Sequence, residues 1–122
     1  MVKMKDNQGV LKKKFDLSGK VAVITDAGDA RGISYAEAIG LSGGIPVIFT
    51  ARQKKTDYAL RQLRKKGIGH CQGFTVDVTD KAQVEKAAEK ILKITGKIDI
   101  LINNYIIRSQ VQRSISPEDY SL

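Results

Sequence analysis

A chain of 122 residues, 42% hydrophobic and 28% charged, with two prolines and one cysteine, has the size and make-up of one soluble globular domain. No run approaches the roughly 20 apolar residues that span a bilayer, the lone Cys71 offers no disulfide framework, and the charged start MVKMKDNQGVLKKK lacks the apolar core of a secretion signal, so the sequence reads as cytoplasmic. The net charge of +8, from 21 basic against 13 acidic residues, is spread over residues 12–14, Lys54, Lys55, Arg61 and residues 64–66, with few aromatics and no zinc spacing. That pattern favours a solvated basic surface over specific nucleic-acid binding.

Residues 1–14 have little periodic apolar content and read as a mobile basic tail, with the ordered domain at 15–122. A turn at Ser18-Gly19 leads into the apolar run Val21, Ala22, Val23 and Ile24, whose lack of alternation predicts a parallel strand covered on both faces. Gly28 and Gly32 interrupt the pattern, and Ile33, Ala36, Ile39 and Gly40 then recur at helical spacing. A strand, a glycine turn and a helix in this order aim unpaired amides and the positive end of a helix dipole at a ligand, the arrangement that receives a dinucleotide pyrophosphate.

The first helix should end near Ser42-Gly43-Gly44. Residues 46–50 predict a second strand with Pro46 at its start, where a missing donor is tolerated. Thr56 or Asp57 is placed to cap a second helix carrying Leu60 and Leu63 inward and ending at Gly67. Residues 73–78 predict a third strand with Asp77 near its carboxyl end. The third helix has Asp80 as cap with Gln83 three residues on, an apolar face of Val84, Ala87, Ala88, Ile91 and Ile94, an exposed Glu89–Lys93 pair, and Gly96 as its stop. Residues 98–103 predict a fourth strand. Alternating strands and helices of these lengths imply right-handed βαβ units and a parallel sheet, with ligands at the carboxyl ends of its strands.

Leu17, Gly19, Lys20, Val21, Ala22, Thr25, Arg31, Gly32 and Ile33, then Asp77-Val78, then Asp99-Ile100-Leu101-Ile102-Asn103-Asn104, together resemble the short-chain dehydrogenase/reductases, which open on LxGKVAxITGASRGIG and carry an Asp-Val after the third strand and NNAG after the fourth. The resemblance runs from about Phe15 to Leu122. It implies an α/β fold, a Rossmann-like doubly wound parallel sheet, here truncated to about four strands. It also implies that the turn through Thr25, Gly28, Arg31, Gly32 and Ile33 passes under the pyrophosphate of a nicotinamide dinucleotide. Asp77 would accept from the adenine amino group with Val78 beside it, and Asn103, with Asn104 next in the motif, would lie near the adenosine ribose. An acid ends the second strand of NAD-selective relatives, whereas Thr50-Ala51-Arg52 stands here. Arg52 and Arg31 would hold a 2′-phosphate, so NADP is expected rather than NAD.

The departures matter as much. The turn TDAGDARGIS has two extra residues, Asp26 in place of the first glycine and Ser34 in place of the last. Asp26 and Asp29 bring negative charge toward an anion site, which should weaken pyrophosphate binding unless Asp26 is turned away or caps the helix. Tyr105 and Ile106 add bulk where relatives keep a small residue and a glycine. The resemblance implies hydride transfer between nicotinamide and a carbonyl or alcohol carbon, with a Tyr and a Lys four residues later as the acid–base pair. Tyr35, Tyr58 and Tyr105 are followed at plus four by Ile39, Gln62 and Ser109, so no catalytic residue is assigned and the chain alone is expected to be inactive.

Residues 116–120 (SPEDY) read as the start of a further helix, and residues 98–107 include ILINNYII, an uncharged, β-prone edge through which either a homodimer would form or solubility would suffer. His70 and Cys71 lack the companions of a metal site, and the lone His70 has no Ser or Asp arrangement of a nucleophilic site, so it reads as a loop residue. A non-catalytic nucleotide-binding or interaction module pairing through the open edge, and a basic α/β protein whose turn binds nothing, remain alternatives to the cofactor-binding half of an oxidoreductase.

Overall fold

The structure, a computed structural model, describes residues 9–10 and 13–104. Seven elements alternate along it: β1 (Val21–Ile24), α1 (Ala30–Leu41), β2 (Ile45–Thr50), α2 (Gln53–Lys65), β3 (Gln72–Thr75), α3 (Lys81–Thr95) and β4 (Ile100–Ile102). All three strand pairings are parallel and the order across the sheet is β3-β2-β1-β4. This is the doubly wound Rossmann arrangement expected, with its direction of winding reversing between β1 and β4. Residues 9, 10, 13 and 14 have helical backbone. The expectations for Tyr105, Ile106 and residues 116–120 lie outside the described residues.

The two faces of the sheet carry two separate cores. Ile24 and Ile48 point to one side and meet Ala27, Ile33 and Ala36 of the first turn and α1, and Ala59, Leu63 and Ile68 of α2 and its exit. Val21, Val23, Val47 and Phe49 point to the other and meet Val76 and the α3 residues Ala87 and Ile91. All four β1 residues are buried, which is why their sequence shows no alternation. Phe49 packs edge-on against Phe74, with ring centroids 6.2 Å apart.

Pro46 lies one residue inside the central strand β2, paired with Ala22 of β1. Ile45 N–H donates to Lys20 O on the β1 side, so the alternating backbone turns the Pro46 nitrogen toward β3. The β3 register starts only at Val47, and the missing donor therefore faces no acceptor in the ladder.

Four expectations are corrected. Helix α2 starts a turn earlier than Thr56 or Asp57: Arg52 occupies the N-cap position without a side-chain cap bond, and Thr56 is a buried interior residue. Ile94 is 58% exposed, because the core beneath α3 is built from β1, β2 and the end of β3 and includes no β4 residue. On α3 the observed i,i+4 ion pair is Lys81–Glu85, 3.6 Å apart. β3 ends at Thr75, leaving Asp77 in the loop after it, and β4 covers only Ile100–Ile102, both shorter than the strands expected over 73–78 and 98–103; the cap at Asp80 and the helix end near Ser42 hold. Asp80 accepts from the amides of Ala82 and Gln83, and α1 passes through Ser42 to Gly43, which has φ of +91°. His70 sits in a loop with Nε2 2.9 Å from Gly44 O. No helix among the described residues is long and apolar enough to cross a membrane.

Candidate functional site

Immediately after β1 the chain makes the turn on which the site depends. Thr25 ends the strand with its N–H on Ile102 O of β4. Asp26 follows with φ of +48°, a left-handed conformation that costs an L-residue about 1 kcal/mol and that Asp tolerates better than most. Asp26 thus follows a left-handed backbone path that glycine would take without strain. Ala27 N–H then donates to Phe49 O, pinning the turn to the end of β2.

Gly32 and Gly28 survive in the turn because the chain is crowded there. A Cβ on Gly32 would collide with Ala27 Cα, so this glycine brings α1 down onto the turn. A Cβ on Gly28 would stand 2.8 Å from Lys55 Cβ and 3.0 Å from Lys55 Cδ. The stem of Lys55 therefore lies across Gly28 and joins the β1–α1 turn to the first turn of α2.

The cap of α1 is Asp29, not Asp26. Asp29 Oδ1 accepts from Gly32 N–H at 2.8 Å, while Ile33 N–H goes to Asp29 O. The amides of Ala30 and Arg31 stand at the same terminus, where a helix cannot pair them itself. Asn104 braces the arrangement from β4. Only 6% exposed, it donates from its backbone to Thr25 Oγ1 at 2.9 Å and from Nδ2 to Asp26 O at 3.1 Å, with Asp29 Oδ1 3.5 Å away. Asn104 is thus a strut for the turn, and Asn103 is the exposed member of the pair.

Beside the turn, Asp26, Phe49, Thr50, Ala51, Val76, Asp77 and Val78 line a cleft of about 180 Å³. It lies at the carboxyl ends of β1, β2 and β3, where α/β sheets take their ligands. Asp77 Oδ1 accepts from Thr79 N–H and Oγ1, and these two bonds hold its carboxyl below the usual carboxylate range. Its Oδ2 is left as a charged acceptor at the mouth of the cleft. Gln83 Oε1, in turn, accepts from Asp77 N–H, so the α3 cap also positions the Asp77 backbone.

The floor between β2 and α2 is a chain of hydroxyls. Thr50 Oγ1 donates to Arg52 O at 2.8 Å and Thr75 Oγ1 donates to Gln53 Oε1 at 2.9 Å. Thr56 Oγ1 lies between them, 2.6 Å from Thr50 Oγ1 and 3.1 Å from Thr75 Oγ1. Thr56 Oγ1 also reaches Arg52 O at 3.3 Å, so both hydroxyls of the β2–α2 junction converge on that carbonyl. This ties the backbone of Arg52 to the strand end and sets the guanidinium-bearing residue at the start of α2.

The structure therefore brings Thr25, Gly28, Arg31, Gly32 and Ile33 onto one turn, and Thr50, Arg52, Asp77 and Val78 onto the adjoining strand ends. Sequence reading missed Lys55, Thr56 and the capping role of Asp29. Asp29, three residues before Gly32, carries a capping signal that the search for a glycine motif overlooked; the Lys55 contact has no local signature.

A nicotinamide dinucleotide fits this cradle at its adenosine half, where a sterically enforced glycine approach adjoins a cleft lined by two acidic residues, Asp26 and Asp77. Its diphosphate would meet α1 where Asp29 already lies. Among the described residues, no group of three His, Cys, Asp or Glu is placed to hold a metal ion.

Comparison with known proteins places these features in context. The sequence profile of the short chain dehydrogenases matches residues 20–121. The chain is 36% identical over 91 residues to a 2-dehydro-3-deoxy-D-gluconate 5-dehydrogenase of Formosa agariphila, covering 74% of this chain and 34% of that protein. With an NAD-dependent glycerol dehydrogenase of Listeria innocua it shares 30% identity over 108 residues, 88% of this chain and 41% of the relative. The crystal structure of a 2-keto-3-deoxy-D-gluconate dehydrogenase from Streptococcus agalactiae superposes with a TM-score of 0.78 at 35% identity, covering 92% of this chain and 42% of that one. The chain thus spans well under half the length of the proteins it matches.

Proposed function

Because the chain belongs to the short-chain dehydrogenase family, we propose that its turn and cleft bind the adenosine diphosphate half of a nicotinamide dinucleotide, NADP in preference to NAD, in hydride transfer between nicotinamide and a carbonyl or alcohol carbon. The observation carrying the preference is the end of β2. Thr50-Ala51-Arg52 puts no carboxylate there, and Arg52 stands exposed at the start of α2, offering its guanidinium to a 2′-phosphate. Arg31, on the first turn of α1, is the second cation, and the stem of Lys55 passes between the two loops.

The residues of this chain bind and orient. Asp77 Oδ2 accepts from the adenine amino group, Val78 flanks the base, and the Ala30 and Arg31 amides face the diphosphate. Asn103 borders the ribose. Thr25, Gly28, Gly32, Ile33 and Asn104 hold the turn in shape. The nicotinamide, when bound, supplies or accepts the hydride. No tyrosine in these 122 residues is followed four positions later by a lysine, so none of them is assigned the proton transfer.

Titration of the protein with NADPH and with NADH tests this reading. NADPH should bind more tightly, and Arg52→Ala should weaken NADPH about tenfold, the loss of one charge-assisted hydrogen bond, while leaving NADH nearly unchanged. Equal affinity of the two nucleotides, insensitive to Arg52→Ala, would refute the preference.

A second reading, a non-catalytic nucleotide-binding or interaction module that pairs with a second copy along β4, is favoured by Leu101, which is 60% exposed on that strand. A cytoplasmic setting belongs to the same proposal and rests on the single cysteine.

A further inference from the structure

Helix α1 has no acidic residue in its first turn, so the carboxylate at its positive end comes from the cap itself. Asp29 Oδ1 takes the Gly32 amide at 2.8 Å and lies 3.5 Å from Asn104 Nδ2. Oriented amides at the start of a 12-residue helix are the feature that would receive a diphosphate. Here they already face an anion attached to the chain.

We propose that Asp29 is a built-in competitor for the diphosphate: its carboxylate, held on Gly32 N–H, stands beside the Ala30 and Arg31 amides, so that a dinucleotide binds at this helix end only against a fixed negative charge. The proposal rests on the dinucleotide reading of the site and adds what opposes the ligand there. Asp29 is exposed, and rotation about its side chain would release the amide without moving α1. The helix gains as much from a phosphate oxygen as from the cap it loses. Even released, the carboxylate stays near the incoming anion, and the repulsion remains. Asp26 carries the same charge but bonds to Asn104 through its backbone oxygen and lines the adenosine cleft, so it does not take part.

The test compares wild type, Asp29→Asn, Asp29→Ser and Asp26→Asn by equilibrium titration with NADPH and with adenosine 2′-monophosphate, which has no diphosphate. Asn and Ser cap helices about as well as Asp, so thermal unfolding should shift by no more than a few degrees. Both Asp29 variants should bind NADPH about tenfold more tightly, as expected when a charged competitor is removed, with adenosine 2′-monophosphate unchanged. No gain with NADPH overturns the proposal. So does an equal gain for the monophosphate, or an equal gain from Asp26→Asn, since either would be a general effect of charge. If wild type binds NADPH and the Asp29 variants match it, the proposal alone falls. If no form binds NADPH or the monophosphate, the dinucleotide reading falls with it.

Discussion

At the scale of single residues, two carboxylates and one thiol have environments with measurable consequences. Asp99 Oδ2 accepts from Val21 N–H at 2.9 Å and lies 3.3 Å from Lys97 Nζ. The Val21 amide foremost, then Lys97 and Lys20, hold its carboxyl below the usual range, as Thr79 does for Asp77. A carboxyl depressed in the folded state stabilises the fold above its unfolded value and ceases to do so as pH falls through the folded one. The thermal midpoint should therefore decline as pH drops from about 4 toward 2. Asp99→Asn keeps an oxygen for Val21 N–H but cannot titrate, so its midpoint should decline less over that window. An identical acid profile for variant and wild type would refute the assignment. Cys71 behaves oppositely: burial pushes its thiol up to about 12, with Arg64 pulling weakly the other way. A thiol-specific disulfide reagent at pH 8 should react slowly with the folded protein and rapidly in denaturant.

At the scale of elements, the ease of reading followed the range of the interactions. Asp80 and Gln83 are three residues apart, and their cap could be read from the sequence because every participant is local. The start of α2 could not. Its anchor is Thr56, whose hydroxyl bonds reach back to Thr50 and across 19 positions to Thr75, and a β-branched polar residue there looks in sequence like a cap. Thr56→Val keeps the shape and removes the donor and acceptor that join α2 to both strands. A cost of about 1–2 kcal/mol is expected in denaturant unfolding; Thr56→Ser should recover most of it, and equal losses in the two variants would point to packing instead. The glycine turn divides in the same way. Gly32 could be found from its motif, whereas the brace from Asn104, 75 positions from Asp29, depends on the β1–β4 pairing. Gly32→Ala would drive a methyl into Ala27 and should cost about 2 kcal/mol or more, with nucleotide affinity lost alongside because α1 must retreat from the turn.

At the scale of the whole molecule, the order β3-β2-β1-β4 gives the two sides of the sheet unequal cover. The face under α1 and α2 and the face under α3 each close over a continuous core. Toward β4 that cover thins, because this strand has three residues and one neighbour among those described. Leu92, Ile94, Ile98 and Leu101 are 47%, 58%, 38% and 60% exposed around it. Single exposed apolar residues are ordinary, but four between Leu92 and Leu101, on the end of α3, the loop after it and β4, are the kind of concentration that a partner covers. A strand edge adds unpaired backbone donors and acceptors to it. With a second copy as the partner, sedimentation at rising protein concentration should show self-association, and Leu101→Lys should return it toward monomer, since an edge lysine opposes strand pairing. Leu41→Lys is the control. Leu41 is 67% exposed at the end of α1, where it lines a surface pocket with Phe15 and Ser42 and no β4 residue, so the same charge placed there should leave the association unchanged. Concentration-independent sedimentation of the wild type, or equal effects of the two lysines, would rule out β4 as the contact.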